Sequence, residues 1–298
     1  MNIADSATGV GISAADAPAA QVMSQHGREL AYRDLPGTGV PILLIHGIGS
    51  SSTTWGDIPN GLAASGAHVL VVDLPGHGQS SKQPGDYSLG SLASTLRDLL
   101  DHLGIERVHL VGHSLGGGVA LQFSYQFPER VQSIVLVASG GLGVEAFTGL
   151  RAAALPGSEW AIQWAINGRT LAAASWAGRQ LSRIGITPHV LSPRALETAS
   201  WLADDDRRTA FLSTLRSVVD VKGQRVSALE KLDLIDGGRV LIIWGESDPM
   251  IPMQHGVNAH ELLPGSRLVI FPGATHEPHV NDPTRFTDLI IEHCKRNS

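Results

Sequence analysis

The chain predicts an α/β fold, a mostly parallel sheet covered by helices. Three observations carry this: short runs apolar on both faces, helix-like stretches between them, and glycines gathered at strand-to-loop junctions. The runs are 41–47 (PILLIHG), 67–76 (AHVLVVDLPG), 106–114 (ERVHLVGHS), 131–139 (VQSIVLVAS), 238–245 (GRVLIIWG) and 266–273 (SRLVIFPG). Between the second and third, Leu89, Leu92, Leu96, Leu99, Leu100 and Leu103 recur at helical intervals, and Gly104 marks the end. A second helix is expected over 281–296, with Asp282 as N-cap and Pro283 in its first turn.

With 298 residues, 43% of them hydrophobic and 17% charged, the chain is long and apolar enough for a sizeable core. Its net charge of −6 and lack of any Lys/Arg run disfavour nucleic acid as a partner. No apolar run approaches the ~18–20 residues of a membrane span. Residues 1–24 lack the basic and apolar pattern of a secretory signal and are expected to be a flexible lead-in. Cys294 is the single cysteine, which suits a reducing compartment; a cytoplasmic protein is the expectation.

Residues 140–215 break the strand–helix rhythm. They are Ala-rich, contain no convincing strand, and hold Trp160, Trp164, Trp176 and Trp201. A helical cap over a pocket is expected there, inserted between core segments 25–139 and 216–298. The four tryptophans either fill an ordinary helical core or contact substrate; substrate contact is the expectation carried forward.

Gly112-His113-Ser114-Leu115-Gly116 fits G-x-S-x-G. A chain of this composition supplies roughly one such match in three by chance, so context decides. Here the pentapeptide follows the run VHLV and opens a helix, a junction where a serine is held in a strained turn with its hydroxyl exposed. Crowding in such a turn explains Gly112 and Gly116. Close packing of the helix on the sheet would explain Gly117 and Gly118.

A nucleophilic serine requires a base, an acid to orient it and donors for an oxyanion. Asp248 and His276 each follow an expected strand, at the end where parallel sheets bind ligands. The order Ser, Asp, His is that of nucleophile-elbow hydrolases. His46-Gly47-Ile48-Gly49 follows the run PILLI, so the Ile48 and Leu115 amides are the expected oxyanion donors. Glu246 competes with Asp248 for the acid role, and His279 with His276 for the base.

Together HGIG (46–49), DLPGHGQS (73–80), GHSLGGG (112–118), FPERV (127–131), WGESDPMIP (244–252) and ATHEPHVNDP (274–283) make the chain resemble the α/β-hydrolase superfamily, from about residue 25 onward. The resemblance implies an eight-stranded sheet, the Ser114–His276–Asp248 triad and the cap. It favours Asp248 over Glu246 and gives His46, Gly47 and His113 supporting roles around the site.

Branches with Asp at the elbow are disfavoured by Ser114, and no tyrosine follows Tyr125 to act from a cap. The expected activity is hydrolysis of a carboxylic ester, thioester or lactone that is largely apolar. C–C bond hydrolysis of meta-cleavage products, acyl transfer or perhydrolysis on the same site, and non-hydrolytic ligand binding stay open. No cofactor is implied, and no histidine pair has H-E-x-x-H or similar metal spacing. The expected partner is a small-molecule substrate, with neither nucleic acid nor membrane; a homodimer stays open.

Overall fold

Alternating strands and helices order the chain in the computed structural model, which describes residues 19–183 and 199–298. In chain order the strands are β1 (Gln21–Gln25), β2 (Arg28–Leu35), β3 (Thr38–Ile45), β4 (Ala67–Val72), β5 (Val108–His113), β6 (Val131–Val137), β7 (Val219–Asp220), β8 (Gly223–Gln224), β9 (Val240–Gly245) and β10 (Arg267–Phe271). The helices are α1 (Ile58–Ala64), α2 (Leu89–His102), α3 (Leu115–Gln126), α4 (Thr148–Ala153), α5 (Ser158–Ala165), α6 (Gly168–Arg183), α7 (Asp205–Val218), α8 (Gln254–Leu262), α9 (Pro278–Asn281) and α10 (Pro283–Arg296).

Eight strands form one sheet in the order β1-β2-β4-β3-β5-β6-β9-β10. Every pairing from β4 to β10 is parallel; β1 and β2 join antiparallel at one edge. All six runs predicted from sequence are strands of this sheet. Residues 21–24, expected in the lead-in, belong to β1. Only Met23 of that edge strand is buried, which is why its sequence reads as polar.

The two faces of the sheet bury different sets of side chains, as the two-residue repeat of a strand requires. Leu43 and Ile45 of β3 and Ile242 and Trp244 of β9 pack with Leu92, Leu96 and Phe123 from α2 and α3. Their neighbours Ile42, Leu44, Leu241 and Ile243 pack on the opposite face with Leu62, Phe286 and Ile290 from α1 and α10. Each such fully buried aliphatic side chain contributes about 1.5–3 kcal/mol.

Both predicted helices end as their sequences specify. On α2, Ser88 caps the start and Gly104, at φ +67°, closes the end; the Ile105 amide donates to Leu100 C=O at 2.8 Å. The Asp282 side chain accepts from the Arg285 amide at 3.0 Å, and Pro283 opens α10.

The described residues between 140 and 215 contain helices and no strand. α7 continues to Val218 and runs into a β7–β8 hairpin that returns the chain to the sheet. Phe211, Leu212, Leu215 and Val219 form a small core of their own, against which Ile48 and Leu150 pack. Among the described residues no helix is long and apolar enough to cross a membrane.

Candidate active site

Ser114 sits between β5 and α3 at φ +54°, ψ −113°, a conformation an L-residue adopts only under constraint. Four backbone hydrogen bonds supply the constraint. Its amide donates to Val137 C=O (2.9 Å), and its carbonyl accepts from Gly117 (3.0 Å), Gly118 (3.3 Å) and Gly140 (2.9 Å). The turn leaves no room beside it: a Cβ at Gly112 would lie 2.2 Å from Gly116 O, and one at Gly116 would lie 2.2 Å from Ile45 O. Gly117 is equally confined, by Ser139, whereas a side chain at Gly118 would meet only ordinary contacts. Close helix–sheet packing therefore accounts for Gly117 and not for Gly118.

His276 follows β10, and Asp248 follows β9. His276 Nδ1 and Asp248 Oδ2 are 2.8 Å apart, with the Asp248 side chain fully buried. The other carboxylate oxygen of Asp248 accepts from the Met250 and Ile251 amides at 2.8 and 3.0 Å. With Nδ1–H donating to this carboxylate, Nε2 is the ring nitrogen that can accept a proton. Glu246 does not reach His276; it accepts from the Gly273 amide at 2.8 Å and pins the turn after β10. His279 is buried against Trp55 and His113, away from the cavity.

The supporting histidines each join two loops. His46 Nδ1–H donates to Gly47 C=O (2.7 Å), while its Nε2 accepts from the Leu74 amide (3.0 Å). This bonding requires the neutral ring, and burial accordingly holds its pKa below the ordinary value. His113 Nε2–H donates to His276 C=O at 2.9 Å. Asp73, in the DLPGHGQS stretch, accepts from the amides of Ser52 (2.6 Å) and Gln79 (2.8 Å), ordering the loops beside β3 and β4.

Ser114 and His276 open onto one cavity of about 600 Å³. Ile48 and Leu115 line it next to Ser114. Leu115 is the first residue of α3, so its amide has no carbonyl one turn back to bond. Apolar side chains dominate the rest, among them Phe147, Leu150, Leu215, Val219, Met250 and Ile251.

The tryptophan expectation needs correction. Trp160, Trp164 and Trp176 are exposed, and none of the four lines the cavity; Trp201 packs beside His77 and Arg207. The residues facing the cavity come instead from α4, the end of α7 and the 140s loop. Sequence offered no residue-type signal for them, because Leu and Val also fill cores. Glu277 lines the cavity beside His276 and accepts from Thr54 Oγ at 3.3 Å. No Lys or Arg is among the described lining residues, and Glu277 is the carboxylate among them.

The α/β hydrolase fold family model matches residues 40–283. An uncharacterized protein of Mycobacterium tuberculosis is 44% identical over 276 residues, 92% of this chain and 80% of that one. A 2-hydroxy-6-oxononadienedioate/2-hydroxy-6-oxononatrienedioate hydrolase of Comamonas testosteroni is 26% identical, over 86% of this chain and 88% of its own. Among solved structures, an esterase from a Rhodococcus species is 25% identical with a TM-score of 0.67, covering 94% of this chain and 99% of that one.

Proposed function

The chain belongs to the α/β-hydrolase fold family, and from that premise we propose that it is a serine hydrolase of uncharged, largely apolar carboxylic esters, thioesters or lactones. The observation that carries this is the strained Ser114 sharing an apolar cavity with a His276 ring held by buried Asp248. Ser114 Oγ attacks the substrate carbonyl carbon while His276 Nε2 takes the hydroxyl proton. The carbonyl π electrons move onto oxygen, where the Ile48 and Leu115 amides receive them. His276 then gives its proton to the departing alcohol or thiol, leaving an acyl-serine. Water deprotonated by His276 attacks that ester, and Ser114 recovers its proton as the acid leaves.

The dioate hydrolase relative favours a second reading, C–C cleavage of an anionic ketone. The cavity opposes it. A dioate carries two carboxylates, and burying them needs cationic or multiple hydrogen-bonding partners. This cavity offers no Lys or Arg among its described residues and presents the Glu277 carboxylate. An uncharged substrate fits that lining better. Each methylene buried against it adds up to about 0.8 kcal/mol, so hexanoyl esters should outrun acetyl esters.

A panel of p-nitrophenyl esters, lactones and vinylogous diketones tests the proposal, together with a fluorophosphonate probe. Expected are ester or lactone turnover and stoichiometric labelling that Ser114→Ala abolishes. Labelling that survives in Ser114→Ala, or turnover of diketones alone, would overturn it.

A further inference from the structure

The exposed tryptophans are the least expected feature of the molecule. Trp160, Trp164 and Trp176 are 74, 84 and 60% exposed, although a solvated indole is unfavourable. Single exposed apolar residues need no explanation; three large ones on consecutive helices do. Trp160 and Trp164 are one turn apart on α5 and share a face. On α6, Arg169, Ala172, Ala173, Trp176, Arg179 and Arg183 are exposed and spaced by three or four residues along one stripe, setting an indole between arginines; Gly168, Thr170 and Ser182 are exposed beside it.

Charge is distributed in the same sense. Residues 148–183 hold four arginines and one glutamate, +3, in a chain whose total is −6. The glutamate, Glu159, is paired with Arg216, and α6 contains no acidic residue to neutralise its arginines. Indoles settle at the boundary between apolar and aqueous phases, and guanidinium groups are drawn to anionic headgroups.

We propose that the α5–α6 face seats on the surface of a lipid bilayer that contains anionic lipids, with the indoles in the headgroup layer. No membrane partner is expected from the sequence; the outward turn of these side chains is the ground for proposing one. Two observations favour a bilayer over a protein surface. Between the indoles and arginines α6 exposes alanines, which give few knobs for a shape-matched partner, whereas a bilayer needs only apolar depth and charge. A second copy meeting through the same face would oppose like charges, since 158–183 hold three arginines against one glutamate, +2 against +2.

The test uses the full chain and vesicles of phosphatidylcholine, with or without phosphatidylglycerol, read by co-sedimentation and tryptophan quenching from brominated acyl chains. Binding should be at least about tenfold tighter with phosphatidylglycerol and weaken as salt is raised. The double substitution Trp160→Ala with Trp164→Ala should reduce it by about tenfold or more, and Arg179→Glu should do so without removing an indole. Unchanged circular dichroism shows that each variant folds. Absence of sedimentation with either vesicle, indifference to phosphatidylglycerol, or variants that bind like the parent would overturn the proposal. So would concentration-dependent dimerisation that these substitutions abolish, which would give the face to a second copy.

Discussion

His113 donates from Nε2 to the backbone carbonyl of His276 at 2.9 Å, so the residue before the proposed nucleophile holds the loop that carries the proposed base. The two rings lie 4.9 Å apart, and His113 is buried. Losing a hydrogen bond of this kind costs about 1 kcal/mol, but the consequence for catalysis is larger. A base displaced by a fraction of an ångström loses alignment with the attacking hydroxyl. His113→Ala should lower kcat about tenfold to a hundredfold while KM changes little, with the fold retained by circular dichroism. An equal loss of kcat in a variant that has visibly unfolded would not support this role, so thermal melts accompany the kinetics.

Asp248 and Glu246 separate two duties within three residues. Asp248 orients His276, and Glu246 ties down the turn at Gly273. Asparagine at 248 would keep the shape and lose the carboxylate that holds the proton on Nδ1, a change worth about 10⁴-fold in kcat in a comparable triad. Glu246→Gln should cost less than about tenfold, because an exposed hydrogen bond contributes little. Steady-state kinetics on the pair decides it: a crippled Glu246→Gln with an active Asp248→Asn would reverse the assignment.

Five of the six runs, β3, β4, β5, β6 and β9, were legible because residues packed on both faces must be apolar; β10, at the sheet edge, kept an apolar run although it is only partly buried. Caps were legible at Gly104 and Asp282 because a left-handed glycine or a side-chain oxygen is a local requirement. Edge strand β1 escaped because pairing on one side leaves polar residues such as Gln21 in place, and β2 beside it escaped because it mixes buried residues with polar ones such as Glu29, Arg33 and Asp34. The hairpin at 219–224 escaped because two-residue strands have no period to read. At the site, Ser114, Asp248 and His276 stood out through their positions after strands. The tryptophans misled for a physical reason: their size suggests burial, but composition does not say which way a helix turns, and α5 and α6 turn theirs outward.

Several buried histidines make stability depend on pH. Burial lowers the pKa of His77 to about 3, with the neighbouring His46 adding to it, and lowers His109 and His293 to about 4. Each titrates near 6.5 when unfolded. Below that value the unfolded chain takes up protons that the folded protein refuses, so folded stability falls as pH drops from 6.5 toward 4. Each of the three groups costs about 2 kcal/mol by pH 5. Urea denaturation at pH 7.5 and pH 5 should show the midpoint falling strongly. His109→Gln should remove about a third of that difference. A midpoint that does not move would mean that these rings are accessible to protons in the folded state.

Glu277 places a carboxylate on the cavity lining. It lines the same cavity as Ser114 and His276, and no described Lys or Arg does. An acyl chain ending in a carboxylate would bring a second negative charge into this apolar region. Two such charges about 8 Å apart repel by roughly 2 kcal/mol at an effective dielectric constant near 20. Added to the cost of desolvating the incoming carboxylate, this should make a p-nitrophenyl half-ester of a dicarboxylic acid at least about tenfold poorer in kcat/KM than the neutral ester of equal length. Glutamine at 277 keeps the side chain's shape and can still accept from Thr54. Glu277→Gln should therefore narrow the gap by about tenfold, mainly through KM, and leave the neutral ester nearly unchanged. Because the readout is a ratio between two substrates of one enzyme, a general loss of activity cannot imitate it. A ratio that stays fixed would show that the carboxylate does not act on the acyl group, and a neutral ester that also collapses would place Glu277 in the chemistry of His276 instead.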